Sequence, residues 1–146
     1  MTKAGVCALF GAIGGAIMTA FGHWNAALTA LASFMIIDYI TGLIVAGVFQ
    51  KSGKSENGGL ESRAGLKGLF RKGMILVLVF MAAQLDILIS STFVRNATVI
   101  GFASNEALSI VENAALMGVP LPPVIKQAME ILKRKADNPA DTPPGE

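Results

Sequence analysis

Apolar residues come in long blocks separated by short polar breaks. From Ala4 to Gly22 the chain carries no charged residue. At 1.5 Å per residue this block reaches about 28 Å, the thickness of a bilayer's hydrocarbon core, and predicts a spanning helix. His23, Trp24 and Asn25 break the run as an interfacial turn would, with the indole at headgroup level. The second block, Ala26 to Phe49, holds a single charge at Asp38 and predicts a return crossing. Residues 50–72 are rich in Gly, Ser and charge and read as a solvated loop. A third block, Gly73 to Phe93, carries only Asp86, and after Arg95 a fourth, less apolar block covers 96–117. Gly118 and Pro120 to Pro123 stop that helix, because proline lacks an N–H donor and clashes with the turn before it. Over 122–136, Val124, Ile125, Ala128, Met129 and Leu132 recur at helical spacing against Lys126, Gln127, Glu130, Lys133 and Arg134, predicting a short basic amphipathic helix. The tail 137–146, with its prolines and no large apolar residue, is expected to be disordered.

Composition agrees with that picture. The chain's 146 residues are 53% hydrophobic and 15% charged, far from the roughly 25% charge of soluble domains. A single cysteine and a single histidine exclude an internal disulfide and a Cys/His zinc site, and a formal net charge of +2 disfavours nucleic acid as a partner. Of the 12 Lys and Arg residues, all but Arg95 fall at the N-terminus, in the central loop or after the fourth block. Since basic short loops stay in the cytoplasm, both ends are placed inside. The predicted fold is an all-α integral membrane protein of about four crossings, N-in/C-in, with the amphipathic helix at its end. Two crossings remain open if the first and fourth blocks lie on the surface. A cleaved signal peptide is disfavoured, because TAFGHWN offers no small-x-small site.

Four acids, Asp38, Asp86, Glu106 and Glu112, fall inside predicted crossings, and the sequence offers none of them a basic companion at that depth. Each costs roughly 2.5 to 3.5 kcal/mol at a helix centre, so each must be protonated, bonded to another helix or facing water. Asn105, Glu106, Ser109, Glu112 and Asn113 form one polar stripe, which either lines an aqueous path or lies flat in the interface. Interhelical hydrogen bonding that fixes packing is the plainer role for all four acids. In the first block Ala4, Ala8, Ala12, Ala16 and Ala20 repeat every fourth residue beside Gly11 and Gly15, a smooth face for helix association between copies or within one chain. Lys67, Arg71 and Lys72 are expected at anionic headgroups, with Lys133, Arg134 and Lys135 marking the cytoplasmic side. Cys7 reads as a buried, inert thiol rather than a lipidation site. No catalytic triad, Cys/His pair or phosphate loop is present, GLKGLFRKG being a weak match, so neither an enzyme nor a cofactor is expected.

Particular motifs go further. Asp38-Tyr39-Ile40-Thr41-Gly42, Gly65-Leu66-Lys67-Gly68 with Arg71-Lys72, Asp86, and Asn105-Glu106-Ala107-Leu108-Ser109-Ile110 with Glu112-Asn113 leading to Gly118-Val119-Pro120-Leu121-Pro122 resemble bacteriophage holin family 4. The likeness runs from about Phe34 to Lys135 and includes lysis and toxin-secretion holins. It implies a small multi-pass protein of the bacterial cytoplasmic membrane that forms homo-oligomers. At a set time it opens lesions that release endolysin or collapse the proton-motive force. Asp38, Thr41, Asp86, Asn105, Glu106, Ser109, Glu112 and Asn113 are then the polar candidates for the opening, and Ala8, Gly11, Ala12, Gly15 and Ala16 those for assembly. A proton-coupled channel or transporter subunit using the same acids, and a non-conducting scaffold or lysis inhibitor, are the rival functions.

Overall fold

Each apolar block becomes a helix. In the computed structural model, which describes residues 2–138, α1 spans Lys3–Ala20, α2 Ala26–Ile44, α3 Ser62–Leu88, α4 Phe93–Leu116 and α5 Pro123–Asp137. Among the described residues there is no strand. The predicted tail lies, apart from Asp137 and Asn138, outside the described residues.

Local chemistry sets the boundaries. The Thr2 hydroxyl accepts from Gly5 N at 3.3 Å and the Asn25 side chain from Leu28 N at 3.0 Å, satisfying donors that a helix start leaves free. The Trp24 indole donates to Thr29 Oγ1 at 2.8 Å, tying the turn to α2. Past Ile44 the second helix continues through one π-turn, Val45–Phe49, and stops at Gln50, whose φ of 52° is left-handed.

The central loop is shorter than the sequence pattern implies. It covers 50–61, because α3 begins at Ser62 and takes Lys67, Arg71 and Lys72 into its first three turns. Glycines and cations gave this stretch the look of a loop, yet Gly65 and Gly68 serve packing. A Cβ on either would stand 3.7 to 3.9 Å from the Tyr39 hydroxyl or ring, so both glycines lie on the face of α3 that meets Tyr39 of α2. The loop is closed by Ser52 N donating to Gly58 O at 3.0 Å. Gly58 has φ +75°, and an added Cβ would lie 2.4 Å from Gln50 O. Gly58→Ala is therefore expected to destabilise the closed loop by about 1 to 3 kcal/mol, seen as faster tryptic cleavage after Lys51 and Lys54.

Asp86 closes the opposite end of the bundle. The third helix ends at Leu88 and the fourth begins at Phe93, earlier than residue 96, because the Asp86 carboxylate accepts from Val94 N and Arg95 N, each at 2.9 Å. A carboxylate at a helix N-terminus answers both the free donors and the dipole.

Parallel to one another, α2 and α4 pack side by side, and α3 packs chiefly on α4. The apolar core joins Leu28, Leu31 and Met35 of α2 to Ile75 and Val79 of α3 and Val99 and Ala103 of α4. One turn along each of these faces the side chains turn polar: Asp38 follows Met35, Lys72 precedes Ile75, and Glu106 follows Ala103. After the Gly118 turn (φ +80°) α5 folds back along α4, and the Ser104 hydroxyl lies 3.3 Å from Leu132 O. Lys133, Arg134 and Lys135 thus stand beside the middle of α4 instead of beyond its end. Among the described residues three helices are long and apolar enough to cross a membrane: Lys3–Ala20, Ala26–Phe49 and Ser62–Leu88. The fourth predicted crossing, α4, is long enough, but its polar positions dilute it.

Candidate functional site: a buried charge cluster and its cleft

Lys72 connects three helices. Its ammonium donates to Asp38 Oδ2 of α2 at 2.8 Å and to Glu106 Oε2 of α4. All three side chains are withdrawn from solvent, with 12%, 7% and 9% of their surfaces exposed for Lys72, Asp38 and Glu106. This corrects the expectation that Asp38 and Glu106 lack a basic companion and that Lys72 points to headgroups. The helix register places it on the α3 face occupied by Ile75 and Val79, one turn away, so it must point inward.

Around the triad further polar contacts converge on Asp38. Asn113 Nδ2 lies 3.2 Å from Asp38 Oδ1 and 2.9 Å from Thr41 Oγ1, and the Thr41 hydroxyl donates to Asp38 O at 3.1 Å. Lys54, from the central loop, approaches Asp38 Oδ2 at 3.8 Å and Ser109 Oγ at 3.5 Å. With Lys54 the cluster holds two cations and two carboxylates and is neutral. Its members differ in freedom: Lys54 is 53% exposed and rides on a loop, whereas Lys72 is fixed on a helix.

Beside the cluster lies a cleft of about 790 Å³ between α2, α3, α4 and the loop. Asn105, Ser109 and Glu112 line it from α4, Lys67 and Arg71 from α3, and Lys54 from the loop. The stripe read from the sequence is thus divided: Glu106 and Asn113 are buried between helices, while Asn105 and Glu112 are exposed at the cleft. Asp86 belongs to neither group. Lys54 was missed because nothing in the sequence ties a loop lysine to a residue in the preceding helix.

The first helix stands apart. Only its C-terminal end meets the bundle: Phe21 packs edge-on against Phe80 with ring centroids 5.9 Å apart, and Gln84 Nε2 donates to Ala20 O at 3.1 Å. Arg95 Nη1 donates to Phe21 O at 2.9 Å and His23 O at 3.2 Å, a cation on the carbonyls that end a helix. Ala8, Gly11, Ala12, Gly15 and Ala16 are exposed, as is Cys7 against the expectation of a buried thiol, and a Cβ on Gly11 or Gly15 would meet nothing within 4 Å.

Magnitudes indicate what holds the bundle in lipid. Apolar contacts between helices gain little there, since the tails are as apolar as leucine. Neutral interhelical hydrogen bonds contribute about 0.6 to 2 kcal/mol, whereas stripping one partner from a buried ion pair costs about 3 to 5 kcal/mol. Breaking the charge cluster at one member is therefore costlier than losing a neutral hydrogen bond.

A model described as bacteriophage holin family matches residues 15–134. The chain belongs to that family. A probable holin of Bacillus phage phi105 is 35% identical over 103 residues, covering 70% of each chain. An uncharacterised protein of Halalkalibacterium halodurans is 37% identical over 124 residues, covering 81% of this chain and 86% of its own. An uncharacterised 14.9 kDa protein of Clostridium perfringens is 39% identical over 117 residues, covering 79% and 83%. No solved structure matches. Membership of the holin family and three apolar helices of spanning length mark it as a membrane protein. The family match starts at Gly15, inside α1, and takes in the whole Asp38, Lys72, Glu106 and Asn113 cluster.

Proposed function

We propose that this protein is a phage holin that collects in the bacterial cytoplasmic membrane, self-associates through the small-residue face of α1, and opens lesions during host lysis. The lesions release endolysin or collapse the proton-motive force, with no direct contact to endolysin required. One observation carries the reading: charged groups are enclosed by helices whose outer faces are apolar, an arrangement costly to insert and rarely kept without a use. In the single copy the acids neutralise Lys72 and Lys54. When copies gather and α2, α3 and α4 part, the same groups supply a wettable lining. The transmembrane potential acts on such charges with roughly 2.3 kcal/mol per elementary charge per 100 mV, which couples opening to membrane energisation.

Induced expression in a bacterium tests this. Growth is expected to continue and then stop abruptly, with a cytoplasmic enzyme appearing in the medium once endolysin is co-expressed. Selective ion flux without arrest would favour a channel subunit, and neither effect a scaffold. Glu106→Gln with Glu112→Gln loosens the tie from α4 to Lys72 and is expected to bring arrest forward. Unchanged onset at equal protein levels removes both residues from the mechanism.

A further inference from the structure

Two cations at the cleft stay unmatched after the cluster has formed. Lys72 is consumed by Asp38 and Glu106, and Lys54 is held near Asp38. Lys67 and Arg71 line the same cleft, are exposed, and have no carboxylate within 4.0 Å among the described residues. They lie one turn apart on α3.

What lies beneath them is apolar. Continuing the row from Lys67 and Arg71 by helical spacing gives Met74, Leu78, Met81 and Leu85. Met74, Met81 and Leu85 are exposed at 54%, 50% and 38%, so neither the bundle core nor α1 covers this flank. From Met74 to Leu85 the row spans about 17 Å, close to half of a hydrocarbon core of about 30 Å. Paired cations above an uncovered apolar strip one leaflet long match one kind of molecule in charge, polarity and length.

We propose that Lys67 and Arg71 hold the phosphate of an anionic phospholipid whose acyl chain runs down the Met74, Leu78, Met81 and Leu85 flank of α3. Arg71 presents a planar fork suited to two phosphate oxygens, and Lys67 adds a point charge. The lipid's ester region lies at the cleft mouth, where Asn105 and Ser109 of α4 offer hydrogen bonds. Such a lipid braces α3 next to Lys72, so the composition of the inner leaflet bears on when the cluster comes apart. This rests on α3 crossing the bilayer, but not on lesion formation.

The test uses the full chain in phosphatidylcholine vesicles with a trace of phosphatidylglycerol or phosphatidylcholine spin-labelled on its acyl chain. Electron paramagnetic resonance reads the fraction of label immobilised by protein. At low salt the phosphatidylglycerol label is expected to associate about fivefold or more tightly than the phosphatidylcholine label, the worth of one cation or more near an anionic surface. Lys67→Gln with Arg71→Gln should bring the ratio close to one, while Lys133→Gln with Arg134→Gln should leave it. An unchanged ratio in the first variant overturns the proposal. So does loss of the preference on adding inorganic phosphate at matched ionic strength, which would make the site one for free phosphate. An immobilised fraction that falls as protein is concentrated would give the flank to a second copy and overturn it too. If neither label is immobilised, the chain does not span, and the membrane reading itself falls with the site.

Discussion

Lys72→Met is expected to remove about 3 to 5 kcal/mol of bundle stability, more than any other charge substitution in the chain. Methionine fills the same space, so the loss is electrostatic. Asp38 and Glu106 would remain enclosed, with Lys54 as their nearest cation at 3.8 Å from Asp38, itself half in solvent on a loop. Neutralising the acids as well separates charge from packing. Lys72→Met with Asp38→Asn and Glu106→Gln should return to within about 1 kcal/mol of the parent, because replacing a whole buried ion cluster by neutral groups of like volume is often close to neutral. Helix loss on heating in detergent, followed by circular dichroism, measures both. A single variant no less stable than Lys67→Met, which changes an exposed cation on the same helix, would show that the cluster does not hold the three helices together.

Much of this architecture was legible in the chain, and the exceptions have a common cause. Apolar runs bounded by Trp24, Asn25 and Gln50 announce α1 and α2 within a residue or two, because lipid-length helices need little besides hydropathy. The amphipathic α5 is equally plain in its spacing. The start of α3 was hidden by its glycines and cations, although Arg63, Lys67 and Arg71 recur every fourth residue with Leu66, Leu69 and Phe70 between them, a helical signal inside a loop-like composition. What no local pattern contains is pairing at a distance. Lys72 finds Asp38 and Glu106 34 positions away on either side, and a reading that sorts cations by their nearest neighbours sends it to headgroups instead. Asp86 was visible as an acid in an apolar run, but its use as the cap of α4 depends on a turn at Ser90 with φ 52° that the sequence only hints at through Ser91 and Thr92. Acids were thus recognised as costly before their partners could be named.

Gly11→Leu with Gly15→Leu is expected to abolish the abrupt arrest of growth while leaving the folded monomer intact. The two demands separate because a Cβ at either position meets nothing within 4 Å, so larger side chains disturb no contact in the single copy. Glycine to leucine also raises helix propensity by somewhat under about 1 kcal/mol per site, which excludes fraying of α1 as the reason for any loss. In lipid, close approach of two helices depends on small residues, since van der Waals contact and Cα–H hydrogen bonds require backbones to near one another. Two leucines on the strip formed with Ala8, Ala12 and Ala16 hold the backbones apart. The other side of α1 carries Phe10, Ile13 and Ile17, and there Ile13→Phe adds bulk without touching the smooth strip, so it should leave arrest unchanged. Membrane levels by immunoblot and arrest time by optical density check the pair. Crosslinked ladders in the parent and Ile13→Phe, with monomer alone in the leucine variant, are the physical result expected beside them. Arrest on schedule in the leucine variant at equal level would take assembly away from α1 and leave the charge cluster to act without it.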